Sequence, residues 1–162
     1  MVNNKKSIVV YFSRTGEQYS VGRIQEGNTA IVAKIIADKT NSDIFEIKVK
    51  NDNYPNDYTP LIQYAQEEKQ ENLRPEIMGQ IDNFDEYETV FIGYPNWWAD
   101  MPMPVYTFLE TYNTKDKTVH HFCTHEGSGE VNSGFEIYGH TAQNDRAETE
   151  KQVTNWLKTL GF

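Results

Sequence analysis

Apolar residues along this chain recur at two spacings, and the switches between them mark its elements. "SIVVYF" (7–12) is a compact β-branched and aromatic run, which predicts a strand buried on both faces. "DIFEIK" (43–48) alternates and predicts a second strand. "ETVFIGY" (88–94), "KTVHHFC" (117–123) and "GFEIYG" (134–139) predict a third, fourth and fifth. Helical spacing fills the intervals. "NTAIVAKIIADKTN" (28–41) has Asn28 as its expected N-cap. "LIQYAQEEKQENLRP" (61–75) reads as a polar, exposed helix stopped near Pro75, and "PMPVYTFLETYN" (102–113) as a helix with proline in its first turn. The tail places Ala147, Val153, Trp156, Leu157 and Leu160 on one face of a helix that ends at Gly161. Residues 13–27 read as a long loop and 51–60 as turns. Strands alternating with helices predict an α/β chain: a mostly parallel sheet with helices on both faces, in one domain over 1–162.

In such sheets ligands bind beyond the carboxyl ends of the strands. That places the chemistry in the loops after the first, third and fourth strands. The first loop brings Ser13, Arg14 and Thr15 toward the helix start at Asn28, Thr29 and Ala30. Hydroxyls and open helix amides suit a phosphate. The glycines at 16, 22 and 27 are too widely spaced for a dinucleotide fingerprint, and no Lys-Ser or Lys-Thr follows a glycine as a triphosphate loop requires. A receiver domain would want acidic residues after the first strand, where Ser13 stands, and an aspartate after the third, where Tyr94 and Pro95 stand. A monophosphate site or an ordinary capped helix remains.

The second loop, "YPNWWADMPMP" (94–104), holds two of the three tryptophans and three of the six prolines. Adjacent indoles on an extended segment do not both point inward, so one is expected to face a planar ligand or a partner. In the third loop region, His121, Cys123 and His125 share one strand face. A metal constellation or a cysteine nucleophile is conceivable there, but a buried thiol usually behaves as a small apolar group. The turn at Gly127, Ser128 and Gly129 more naturally offers backbone groups to the edge of a ring.

Composition narrows the partners. The 162 residues carry a formal net charge of -9 and a mean hydropathy of -0.71. That balance argues against nucleic acid and anionic membranes and suits a basic protein partner. A lone cysteine permits no internal disulfide. With no membrane-spanning stretch, the expectation is a cytoplasmic protein.

Together "YFSRTG…GNT", "GYPNWW…MPMP" and "CTHEGSG" make the chain resemble the flavodoxin-like FMN proteins over nearly its whole length. The resemblance implies a doubly wound parallel five-stranded sheet of order 2-1-3-4-5 and FMN as cofactor. It implies a phosphate cradle at Ser13, Arg14, Thr15, Asn28, Thr29 and Ala30. The ring would be covered by Pro95, Asn96, Trp97 and Trp98, with Trp98 expected at the ring, and by Thr124, His125, Glu126 and Gly127 on the other side. Asp100 and Glu126 would then lower the potential of the bound flavin. The implied role is a low-potential electron carrier between redox partners such as a flavodoxin reductase. The alternatives are an FMN-dependent NAD(P)H reductase of quinones or azo compounds, and a non-flavin protein-interaction module.

Two departures from the pattern stand out. An insertion, "EQYSVGRIQEG", splits the phosphate loop, and Tyr19 or Arg23 is expected to fold over the ligand. Only "HEGSGEVNSG" joins the fourth and fifth strands, where a parallel crossover usually takes a dozen residues or more. The fifth strand is therefore expected to be reached by a bare loop or to pair abnormally. Uncovered apolar surface there would lead to self-association or local instability.

Overall fold

The first buried run forms the strand next to the sheet's centre, as its apolarity on both faces requires. The computed structural model describes residues 6–162. Its main sheet is built from β1 (Lys6–Tyr11), β4 (Asp43–Glu46), β5 (Tyr87–Pro95), β6 (Thr118–His125) and β7 (Phe135–Tyr138). All neighbours pair in parallel, in the spatial order β4-β1-β5-β6-β7. Counted within this sheet, that is the expected 2-1-3-4-5. The segment read as a long loop contains a small antiparallel hairpin, β2 (Gly16–Gln18) with β3 (Gly22–Ile24). Its strands are three residues each, too short for periodicity to reveal.

Alternation within each central strand sends side chains to two cores. Ile8, Val10, Ile92, Tyr94 and Cys123 lie on one face with Leu61 of α2 (Tyr58–Gln70) and Val105 and Phe108 of α3 (Met103–Thr111). Val9, Phe91 and Phe122 lie on the other with α1 (Asn28–Thr40), α4 (Gly139–Asn144) and α5 (Arg146–Thr159). Helix α2 starts before 61 and stops before Pro75, and α4, six residues long, is too short for helical spacing to reveal. Helix α5 is capped by Asp145, whose carboxylate accepts from the Glu148 amide at 3.0 Å. Among the described residues, no helix is long and apolar enough to cross a membrane.

The short crossover resolves as a bare loop. Strand β7 pairs normally, with Phe135 opposite Phe122 and Tyr138 opposite His125. Both faces are largely covered, although Tyr138 at the end of β7 stays exposed. On one, Phe135 stacks on Trp156 of α5 with ring centroids 5.0 Å apart, and Ile137 is buried beside it. On the other, the loop itself lies over the sheet, with Val131 packed against the first core.

One buried carboxyl gives a pH prediction. Glu68 on α2 is 5% exposed and accepts a hydrogen bond from the Tyr54 hydroxyl at 2.5 Å. Burial raises its pKa above the usual carboxyl value, outweighing the lowering by Tyr54. An acid with a raised folded pKa costs nothing when protonated and loses stability as pH climbs from its unfolded value, about 4.3, through its folded one. Glu68→Gln is therefore expected to be more stable than wild type near pH 7, with the difference closing toward about pH 4. Urea unfolding at both pH values checks this, and a pH-independent difference would refute it.

Candidate functional site

The carboxyl ends of β1, β5 and β6 open into one cavity of about 370 Å³, within the range of small-molecule sites. Ser13, Arg14, Asn28, Thr29, Pro95, Asn96, Trp97, Trp98, Thr124, His125 and Glu126 all line it. Thr15, Ala30 and Gly127 do not, and their backbone groups are engaged locally. The Thr15 carbonyl accepts from Gln18, the Ala30 amide donates to Ser13 Oγ at 3.1 Å, and the Gly127 amide donates to His125 Nδ1 at 2.9 Å.

At the polar end, Gly27 and not Asn28 is the N-cap of α1. A side chain does not fit there: a Cβ on Gly27 would sit 1.9 Å from Ser13 Oγ. Ser13 instead caps the helix from the preceding loop through its bond to Ala30. Thr29 and Thr124 are both buried, and their hydroxyls are hydrogen-bonded at 2.7 Å. Asn28 Oδ1 is buried with no partner, and so is Arg14 Nε. The Arg14 guanidinium otherwise binds Asp52 at 2.6 Å and lies over the Tyr54 ring. Its charge is thus anchored by the 52–54 turn, and Arg14 lines the cavity together with Ser13.

The aromatic end answers why two tryptophans are adjacent. The amides of Trp97 and Asp100 each donate to the other's carbonyl, at 3.0 and 3.1 Å, closing a tight turn. Its central residues, Trp98 and Ala99, have φ of 56° and 59°, the signature of a type I′ turn. The left-handed backbone costs about 1–2 kcal/mol per non-glycine residue, strain of the kind that gathers at functional sites. The reversal sends the indoles apart. Trp97 packs edge-on against Phe12 and Tyr54, with centroids 5.3 and 5.5 Å away. Trp98 stays 44% exposed at the cavity, its indole N–H donating to the Ile62 carbonyl at 2.8 Å.

Asn96 ties the loops together. Its amide donates to the Thr124 carbonyl at 3.0 Å, its Nδ2 to the Gly129 carbonyl at 2.7 Å, and its Oδ1 accepts from the Ala99 amide at 3.0 Å. Glu126 lines the cavity, but its carboxylate caps α4, accepting from the His140 amide at 2.6 Å with His140 Nδ1 2.7 Å away. Asp100 turns from the cavity to the Tyr106 hydroxyl and the Met101 amide, at 2.5 and 2.7 Å. It is therefore not beside the ligand as the sequence suggested. Cys123 is fully buried, and desolvation, with the charges of Glu130 and Glu136, pushes its thiol pKa up, which keeps it protonated and unreactive.

Sequence reasoning missed Gln18, Tyr58, Leu61, Ile62, Ala65 and Ala99 as lining residues, while Ser128, expected at the edge of a ring, does line the cavity. Ala99 lies in a loop already singled out. The α2 residues reach the cavity only because that helix packs beside it, which no local signal records. Tyr19 does line the cavity and pairs with the Tyr58 ring at 5.6 Å, whereas Arg23 is held by Asp57 and Glu17.

Known proteins share this fold. No curated protein matches the chain. A structure from Bacteroides eggerthii DSM 20697, described as that of a flavoprotein, is 25% identical, with 98% of this chain and 99% of that chain covered at a TM-score of 0.70. A flavoprotein from Lactobacillus acidophilus NCFM, solved in complex with FMN, is 22% identical, with 94% and 99% covered at a TM-score of 0.65. The sequence model of the Flavodoxin family matches residues 6–159. The chain belongs to the flavodoxin family.

Proposed function

We propose that this chain binds FMN in the cavity and carries electrons between redox partner proteins, with a flavodoxin reductase as the expected donor. The observation that carries the reading is the joining, in one cavity, of a polar end at the start of α1 with an aromatic end at the Trp97–Asp100 turn. The residues present fit the group. The unpartnered Asn28 Oδ1 can accept from a hydroxylated chain, and the hydroxyls of Ser13 and Thr29 can donate to a phosphate. Trp98 and Tyr19 offer planar apolar surface and exclude water from a flat ring. Asn96 and the loop after β6 bring backbone groups to its edge. FMN, when bound, supplies the electron-transfer chemistry, and the protein supplies binding, orientation and electrostatics.

The carrier role is favoured by the exposed aromatics around the site, Tyr19 at 58% and Trp98 at 44%, with Tyr138 at 46% beside His125. They leave an apolar rim for a docking protein, and the net charge of -9 suits a basic one. The apolar wall of Leu61, Ile62 and Ala65 favours a second reading, in which a small planar acceptor such as a quinone lies against it.

The purified protein is expected to show flavin absorption bands or to take up added FMN. Trp98→Ala is expected to weaken FMN binding by about 1–3 kcal/mol, measured by titration. A colourless protein that binds no added FMN would point to a non-flavin interaction module. Stopped-flow reduction separates the other two readings: dependence on a reductase supports the carrier, and rapid direct reduction by NAD(P)H supports the enzyme.

A further inference from the structure

The loop that replaces the crossover helix between β6 and β7 is organised by a carboxylate. Glu130 Oε2 accepts from the amides of Asn132 and Gly134 at 2.7 and 2.5 Å. Its Oε1 accepts from the hydroxyl of the fully buried Tyr94 at 3.1 Å, and Asn132 Nδ2 donates to that hydroxyl at 2.7 Å. The Glu130 amide donates to Glu136 Oε2 on β7 at 2.8 Å. At the loop's far end, a Cβ on Gly134 would lie 2.1 Å from the His121 carbonyl oxygen, so the backbone lies against β6 with no room to shift inward. Charge-assisted bonds from one side chain to two amides and a hydroxyl hold a loop as packing would hold a helix.

This fold has a consequence at the cavity. The residue before Glu130 is Gly129, at φ 83°, whose carbonyl accepts from Asn96 Nδ2 at 2.7 Å. The other end of the Asn96 amide accepts from the Ala99 amide at 3.0 Å, inside the strained Trp98–Ala99 turn. Held at both ends, the Asn96 side chain links the two loops. We propose that Glu130 is a positioning residue of the FMN site, acting through the Gly129 carbonyl and Asn96 to fix the Trp98–Ala99 turn. Glu130 does not line the cavity, so its effect on the cofactor is transmitted. Only the effect on FMN rests on the cofactor reading above. The effect on the turn does not.

The test uses the full chain with two readouts. The first, without added FMN, is hydrogen exchange of the Ala99 amide. Glu130→Ala is expected to speed it about tenfold or more, as a locally loosened segment does. Glu130→Gln, which keeps an acceptor for the two amides, is expected to stay within about threefold of wild type. The second readout is FMN titration well below the unfolding temperature. Glu130→Ala is expected to raise Kd about tenfold, but less than about threefold in an Asn96→Ala background, because the path is already cut. Should Glu130→Ala not fold, Glu130→Asp, whose carboxylate is withdrawn by one methylene, replaces it with the same expectations. Faster exchange at Asn132 and Gly134 with Ala99 unchanged would overturn the proposal, confining Glu130 to its own loop. Independent, multiplying effects of Glu130→Ala and Asn96→Ala on Kd would also overturn it. If Ala99 responds as expected but wild type binds no FMN, the cofactor reading fails and the link from Glu130 to the turn stands.

Discussion

Phe122→Ala is expected to destabilise the protein by about 3–5 kcal/mol, at the upper end for a core truncation. Phe122 is fully buried in the middle of β6 and faces α1 and α5. Its ring lies over Gly93 of β5, where a Cβ would come within 2.0 Å of the ring carbons. The ring thus fills the space of two side chains, and the glycine opposite has no atoms to move into the hole. Total stabilities of about 5–15 kcal/mol make such a loss enough to leave the fold marginal. Gly93→Ala alone is expected to cost about 1–3 kcal/mol through overpacking. The double variant should cost less than the sum, because the new methyl occupies part of the vacated volume. Urea unfolding of the three variants checks this, and strict additivity would show that the two positions do not share the space.

Gly27→Ala is expected to disable the polar end of the cavity. The backbone at Gly27, φ -66° and ψ 148°, is one that alanine adopts freely, so no conformational strain is involved. The obstacle is contact: the added Cβ would sit 1.9 Å from Ser13 Oγ and 2.8 Å from the Arg14 carbonyl oxygen. Ser13 must swing off the Ala30 amide, losing a cap worth about 0.5–2 kcal/mol, and the loop must move away from α1. Overpacking adds about 1–3 kcal/mol. FMN affinity is expected to fall about tenfold or more, as about 1.4 kcal/mol of lost binding energy gives. Titration measures the affinity and urea unfolding the stability. Adding Ser13→Ala, which removes the clashing oxygen, should return part of the stability without restoring the affinity. Wild-type FMN affinity in Gly27→Ala would show that the close approach of the two segments does not matter to the ligand.

The fold was legible because its evidence is periodic. The β1 and β5 strands each carry an unbroken buried apolar run at their centre, and residues 28–40 carry apolar residues at helical spacing. Burial on two faces of a parallel sheet leaves few other arrangements for such runs. The loops after β1, β5 and β6 were legible as a site for a related reason: residues at strand ends must converge at the sheet's carboxyl edge. Eleven of the expected residues do line one cavity there.

What failed was decided by contacts between distant segments. Asn28 looks like the better N-cap, but Gly27 holds that place because Ser13, far off in sequence, fills the space a side chain would need. Asp100 follows the tryptophans, yet its carboxylate accepts from Tyr106 in α3 and leaves the cavity. The short crossover suggested exposed apolar surface, but Glu130 and Val131 fold the loop over the sheet.

The sequence by itself determined that this is a parallel α/β chain of the flavodoxin family, with three loops that meet at one cavity, because hydrophobic period and loop composition are local properties of the chain. Only the tertiary structure decided how those loops engage one another. It turned Trp97 inward and Trp98 outward, moved the helix cap from Asn28 to Ser13, and joined the loop after β6 to the Trp98–Ala99 turn through Asn96. The reason is physical: a turn's handedness, a close backbone approach and a shared hydrogen bond depend on segments that meet only when the sheet has formed.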